Sequence, residues 1–246
     1  MKHLMILLWP AVWLVLGTDA PVLADDIADA HSRMIRTVKA MAQITPIAGK
    51  KHPISIKVLA AMGQVKRHKF VPRVRRSLAY ENRPLPIGHG QTISQPYMVA
   101  LMTDLLELEK GDTVFEMGTG SGYQAAVLAA LGVRVQTVEI IKDLADEAKA
   151  RLRELNYSHV TVRWADGYYG DPENAPFDGI IITAAASHIP PPLIAQLKPG
   201  GRMIIPVGPK FMAQQLVLVS KASDGKVTTR RLLPVAFVPV TRTRKP

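Results

Sequence analysis

Three places in this chain hold residues whose types and spacing can do chemistry. Residues 113–122 read Thr-Val-Phe-Glu-Met-Gly-Thr-Gly-Ser-Gly, an apolar strand running into a glycine-rich turn, with a helix opening at about Tyr123. Gly118, Gly120 and Gly122 alternate, which removes the Cβ atoms that hold a ligand off the backbone and permits φ > 0. The first N–H groups of the following helix point into that gap. Such a turn at the carboxyl end of a strand is where open α/β sheets bind nucleotides. Glu139 closes the next strand, seventeen residues after Gly122, where a carboxylate can accept both hydroxyl hydrogens of a ribose. Asp166-Gly167 follows the third strand at the same sheet edge, in reach of an adenine amino group. A helix cap competes for Glu139, and an ordinary Asp-Gly turn for Asp166.

Two ligand classes compete for the glycine turn. Dinucleotide binders carry G-x-G-x-x-G. Gly118 and Gly120 fit that pattern, but Tyr123 stands at its third position. The pattern present is E-x-G-x-G-x-G, with Glu116 two residues before the first glycine. This resembles the S-adenosylmethionine (AdoMet) methyltransferases, whose ligand has no pyrophosphate and whose loop wraps an amino acid and a ribose. A turn with glycines for packing alone is the bland alternative. Three alternating glycines and an acid exceed what it needs.

The third place is residues 80–96, which hold three prolines and two glycines and end in Gln91-Thr92-Ile93-Ser94-Gln95-Pro96. We expect an irregular ordered loop here, and a long ordered loop in a compact domain is usually functional. No strong acid–base machinery accompanies it. There is no cysteine, and the seven histidines show no metal-ligand spacing. His89 and His188 read as structural residues or substrate contacts, and a lone serine such as Ser94 is ordinarily a turn or cap residue. Methyl transfer to a carboxylate needs no base, because the acceptor is already anionic and the sulfonium donor already activated. Alignment and desolvation then supply the rate.

The elements that position these residues follow from periodicity. The chain has 246 residues, of which 48% are hydrophobic, so a sizeable core can be buried and disorder is not expected. Helices are expected at 27–43, 56–62, 97–108, 123–131, 141–155 and 193–197. Strands are expected at 113–117, 133–138, 160–163, 177–183, 202–207 and 215–220, with a turn at 198–201. Repeated βα units imply a doubly wound, mostly parallel sheet in the α/β class. The last strands lack a helix between them, so an antiparallel C-terminal hairpin is expected. The formal charge of +11 favours acidic partners or reads as a solvated basic surface.

Residues 1–24 read as a secretory signal peptide. Lys2 and His3 precede an apolar run of about thirteen residues, too short to span a bilayer comfortably. Val22-Leu23-Ala24 offers a cut before Asp25, and Ala20 a second one. An uncleaved anchor and a true start at Met34 are the alternatives. We therefore expect export to the periplasm and a single monomeric domain over residues 25–246. In it, residues 25–110 carry N-terminal helices and the loop, and residues 111–246 the ligand-binding core.

The sequence also resembles the protein-L-isoaspartate O-methyltransferase family. The matching blocks are Pro84-Leu85-Pro86-Ile87-Gly88, Gln91 to Pro96, Glu116 to Gly122, Asp166-Gly167, Leu197 to Gly201, Pro206-Val207-Gly208 and Phe237-Val238-Pro239-Val240. They spread over about residues 55–240, and residues 44–55 depart from the pattern. The Thr-Ile-Ser-Gln-Pro and Phe-Val-Pro blocks are the specific ones. The resemblance implies a Rossmann-like AdoMet-dependent fold and methyl esterification of the α-carboxylate of L-isoaspartyl residues in damaged proteins. It implies Ser94 as the active-site serine. It implies Glu116, Gly118, Thr119, Gly120, Ser121, Gly122, Glu139, Ile140, Asp166, Gly167 and Gln214 as cofactor residues, and Ile93, Val238, Pro239 and Val240 as substrate contacts. No metal and no nucleic acid is implied. Members are usually cytoplasmic, whereas this chain begins with an export signal. Two other functions compete: AdoMet-dependent methylation of a small molecule or nucleic acid, and a non-catalytic exported binding protein.

Overall fold

A seven-stranded sheet forms the centre of the chain, in the order β11-β10-β9-β8-β5-β6-β7. The computed structural model describes residues 24–209 and 212–241. The signal peptide expected at residues 1–24 lies outside the described residues except for Ala24, which begins the first helix.

The elements run α1 (Ala24–Ile44), β1 (Pro46–Ile47), β2 (Lys50–Lys51), α2 (Ile56–Gln64), β3 (Leu85–Gly88), β4 (Gln91–Ile93) and α3 (Pro96–Leu105). Then come β5 (Thr113–Met117), α4 (Tyr123–Ala130), β6 (Arg134–Glu139), α5 (Lys142–Glu154), β7 (Val160–Trp164) and β8 (Phe177–Ile182). The chain closes with α6 (Pro191–Gln196), β9 (Leu197–Val207), β10 (Gln214–Lys221) and β11 (Val227–Val235). Strands β5 to β9 are parallel, and β9, β10 and β11 form an antiparallel meander.

Side chains alternate across a strand, and both faces of this sheet are buried. Val114, Ile181, Ile204 and Leu218 pack into the core formed with α1 to α5. Their neighbours Phe115, Ile180, Ile182, Met203, Ile205 and Val219 pack on the other side with Leu193 of α6. From β5 the chain steps outward through β6 and β7 to one edge, and through β8 to β11 to the other. The strand order therefore reverses between β5 and β8, which opens a crevice at their carboxyl ends.

Three local expectations need correction. The loop at 80–96 is not wholly irregular. Leu85, Ile87 and Ile93 turn inward from an antiparallel β3–β4 hairpin, and Gly88, His89 and Gly90 reverse it at φ 99°, 52° and 70°. Pro84 precedes the pair and Pro86 lies within it, as edge positions allow. Residues 198–201 are not a separate turn. They lie inside β9 as an irregularity, between the pairs Phe177↔Leu197 and Gly179↔Arg202, with Gly200 at φ 83°. Residues 44–55, where no element is expected, hold a small ribbon, β1 with β2, reversed by Ala48 and Gly49 at φ 48° and 77°.

Arg67 holds the start of the loop onto the sheet's helical cover. Its side chain is fully buried, and its guanidinium lies 4.8 Å from the centre of the Tyr123 ring. Its Nε donates to the Ala79 carbonyl at 2.8 Å. Burial pulls its pKa down to about 10, which leaves it charged at neutral pH. Tyr123 opens α4, so one cation ties residue 79 to the end of the glycine turn.

Candidate active site

The glycine turn is held by backbone bonds to the neighbouring strand. The N–H groups of Gly118 and Thr119 donate to the Val138 carbonyl at 2.9 and 3.1 Å. Gly118, Gly120 and Gly122 sit at φ 102°, 52° and 86°. A Cβ on Gly118 would stand 2.5 Å from the Thr183 hydroxyl oxygen, so no other residue fits there. That hydroxyl donates to the Gly118 carbonyl at 2.7 Å. Gly167 is enclosed as tightly, since its Cβ would meet Met117 and Val138 side-chain atoms at 2.6 and 2.8 Å.

Glu139 does more than its place at the end of β6 suggests. It is 6% exposed, and one carboxylate oxygen accepts from the Gly120 N–H at 2.9 Å. The other accepts from the N–H groups of Ile140 and Ile141, each at 3.0 Å. A carboxylate offers about four acceptor directions, so the three bonds leave room for a ribose hydroxyl. Glu139 thus anchors the loop as well as lining the cleft. Asp166 accepts from the Tyr168 N–H at 3.0 Å and caps the short turn Gly167–Tyr169.

Three adjoining hollows occupy the crevice. The first, about 580 Å³ and open to solvent, is lined by Gly118, Gly120, Glu139, Ile140, Asp166 and Gly167, with Pro239 and Val240. The second, about 1000 Å³ and also open, lies between α1, the hairpin, α3 and the chain after β11, and Ser94, Tyr97, Phe237 and Val238 are among its walls. The third joins Ile93 and Ser94 to Thr119, Gly120 and Ser121. Thr92 and Thr183 line all three, so they mark where the hollows meet. The Ser94 hydroxyl is half-buried at this junction with no hydrogen-bond partner among the described residues. Neither hollow that contains Ser94 is lined by His, Asp, Glu, Lys or Arg.

Three of the expected site residues line none of these hollows. Gln214 is 1% exposed and holds the last segment in place, accepting from the Phe237 N–H at 2.8 Å. Glu116 is fully buried on β5, and neither carboxyl oxygen has a hydrogen-bond partner among the described residues. Burial pushes its pKa up to about 8, against the opposing pull of the Thr137 hydroxyl and with a small addition from the negative Glu139. Gly122 also lies back from the hollows, as the left-handed cap of α4. Thr183 was missed in the sequence. It ends the apolar run Ile180-Ile181-Ile182 at the carboxyl edge of the sheet, and a polar residue there is the signal that marks it.

The cradle suits the ligand expected for it. Close backbone approach at Gly118, an acid at the end of β6 and a capped turn after β7 suit a nucleoside bearing an amino acid. A reversing parallel sheet with this crevice defines the class of AdoMet-dependent methyltransferases with a Rossmann-like fold. Within that class, the chain belongs to the protein-L-isoaspartate(D-aspartate) O-methyltransferase family, whose model matches residues 42–245. It is 54% identical over 239 residues to protein-L-isoaspartate O-methyltransferase 1 of Cupriavidus necator, covering 97% of this chain and 92% of that one. It is 58% identical over 211 residues to protein-L-isoaspartate O-methyltransferase 2 of Polaromonas sp., covering 86% and 100%. Among solved structures it is similar to a protein-L-isoaspartate O-methyltransferase, with TM-score 0.76 and 28% identity over 86% of this chain and 66% of that chain. A putative enzyme of the same name from Plasmodium falciparum, in complex with S-adenosyl-L-homocysteine, gives TM-score 0.71 and 25% identity over 87% and 99%.

Two outcomes follow for the acids. Glu139→Ala removes the acceptor of three backbone N–H groups at the wall of the first hollow. Calorimetric titration should show AdoMet affinity lowered roughly tenfold to a few hundredfold, and the midpoint of thermal unfolding should fall as well. Unchanged affinity removes Glu139 from the site. Glu116 has a folded pKa raised from its ordinary 4.5 to about 8. Its contribution to stability is therefore complete below about pH 4.5 and is lost as pH rises toward 8. In cofactor-free protein, Glu116→Gln should gain on the parent in unfolding temperature from about pH 5 to pH 8.5. A constant difference across that range would show that Glu116 is not protonated in the folded chain.

Proposed function

We propose that this chain transfers a methyl group from AdoMet to the α-carboxylate of L-isoaspartyl residues in damaged proteins and peptides. The ester then closes spontaneously to a succinimide, which opens in part to normal aspartate. The observation that carries this reading is the meeting of the hollows at Thr92 and Thr183, with an unpartnered Ser94 hydroxyl in the walls of the second and third and no base lining either of those two. AdoMet, when bound, supplies an electrophilic methyl group on a sulfonium. The chain's own task is to place an acceptor that is already anionic.

Ser94 is suited to that task. Pro96 fixes the backbone two residues after it and opens α3, and Ile93 is buried before it. Its hydroxyl orients the acceptor carboxylate, because no neighbouring base can make it a nucleophile. Gly118, Gly120, Glu139, Ile140, Asp166 and Gly167 form the cofactor wall, with Thr119 and Ser121 behind the loop. Val238 stands between cofactor and substrate, and Pro239 and Val240 close the cofactor side.

Residues 25–246 act as one monomeric methyltransferase domain in this reading, and residues 1–24 direct its export. Among the described residues no helix is long and apolar enough to cross a membrane. The Lys2 start, the apolar run and Val22-Leu23-Ala24 support export.

With saturating AdoMet, an isoaspartyl peptide should be methylated and its aspartyl counterpart should not. Ser94→Ala should bind AdoMet normally and lose roughly ten- to a thousandfold in rate, the cost of one orienting hydrogen bond made in the transition state. Turnover at the parent rate would make Ser94 a turn residue only, and lost AdoMet binding would move it to the cofactor pocket. N-terminal sequencing of native protein should begin at Asp25, or at Pro21. A cytosolic protein starting at Met1 or Met34 contradicts export.

A further inference from the structure

The second hollow receives a carboxylate under the proposed function, yet no charged side chain lines it. Cations lie on the chain segments that adjoin its walls. Met41 and Thr45, at the end of α1, line one side, and residues 233–238, continuing β11, line another. The β1–β2 ribbon bridges these walls, with the Ala48 N–H donating to the Leu232 carbonyl at 3.0 Å. Lys50 pairs with Ile47 across the ribbon, and Arg231 precedes Leu232, so both belong to the strands joined by that hydrogen bond. Lys51, Arg230 and Lys39 continue the set, and all five cations are exposed.

Some exposed cations of the molecule are matched, as Lys142 is with Asp146, Lys57 with Glu109 and Arg83 with Glu81, while others, such as Lys66, Lys69 and Arg73, are not. None of the five rim cations takes part in an ion pair among the described residues. Residues 31–52 and 225–241 contain no aspartate or glutamate, although the chain has 20 in all. An uncharged cleft inside a rim of one sign draws in the opposite charge and holds it at the edge.

We propose that this rim selects acidic polypeptide: isoaspartyl segments with further Asp or Glu carboxylates within a few residues of the acceptor. The inference rests on the proposed function and deepens it. The isoaspartyl carboxylate enters the neutral cleft, while flanking carboxylates stay in water against Lys50, Lys51, Arg230 and Arg231. Such pairs are solvent-exposed, so they act on encounter and on KM and are screened by salt.

The test uses the full chain and two isoaspartyl peptides of equal length, one flanked by glutamates and one by lysines, with initial rates at saturating AdoMet. At low salt the acidic peptide should show a KM about three- to tenfold lower, with kcat matched, and the ratio should shrink toward one near about 0.5 M NaCl. The double variants Lys50→Glu/Lys51→Glu and Arg230→Glu/Arg231→Glu should abolish or invert the preference. Their unchanged kcat on a neutral isoaspartyl peptide shows that they fold. Equal KM for both peptides overturns the rim proposal and leaves the function standing, as does a preference that both variants retain. If no isoaspartyl peptide is methylated, the function itself fails and the rim proposal with it. If the peptides are treated alike but the variants lose sedimentation with phosphatidylglycerol vesicles, the rim is a membrane-facing surface and the proposal is wrong.

Discussion

The site depends on backbone brought so close to backbone that there is no room for a Cβ. Gly118 lies against the Thr183 hydroxyl and Gly167 against Met117 and Val138, which draws the carboxyl ends of β5, β6, β7 and β8 together. The turn so formed cannot satisfy itself. Its Gly120 N–H reaches to Glu139, and its Gly118 carbonyl to Thr183. One carboxylate on β6 and one hydroxyl after β8 therefore fix the turn from both sides. A ligand entering this gap meets groups already locked by the sheet, so little ordering is left to be done on binding.

The acceptor side is held by different means. The hairpin carrying Thr92 and Ser94 is joined neither to β5 nor to the glycine turn by a strand pairing. It is placed from below by Leu85, Ile87 and Ile93, and at its base by Arg67, which ties Ala79 to the Tyr123 ring. Asn82 adds a bond from the same base, accepting from the Tyr97 N–H at 3.0 Å and capping α3. The two halves of the site thus share α4 and its first residue as a common reference. The sheet fixes the wall of the first hollow, and the packing on α4 and α3 fixes the wall of the second.

How much of this was legible in the sequence follows from the physics of each part. The parallel core could be read because βα alternation and runs such as Ile180-Ile181-Ile182 are local signals. The glycine turn could be read because φ > 0 and close approach demand a particular residue type. The β3–β4 hairpin was hidden by its prolines, since Pro86 is tolerated in a pair that has no further neighbour. The irregularity in β9 was hidden by Lys198-Pro199-Gly200-Gly201, whose composition is that of a turn whether or not a strand continues past it. Thr183, and the backbone role of Glu139, were out of reach for another reason. Both depend on which strands become neighbours, and β5 meets β8 only across sixty residues of intervening chain.

The distribution of charge follows from the same division. At the centre, Glu116 is fully buried beside Thr137 and Glu139, and burial pushes its pKa up to about 8, which disfavours a negative charge under the glycine turn. The acceptor hollow is uncharged, with the hydroxyls of Ser94, Thr92 and Thr183 and the apolar bodies of Met98, Leu233 and Phe237 around it. An anion placed there loses water and gains only a few hydroxyl donors, which raises its reactivity toward an electrophilic methyl group. A lysine or arginine inside the hollow would bind that anion more tightly but would lower its nucleophilicity. Attraction and reaction therefore favour opposite placements of positive charge. In this chain the hollow itself holds no cation, and Lys50, Lys51, Arg230 and Arg231 stand on the ribbon and on β11, segments that adjoin its walls.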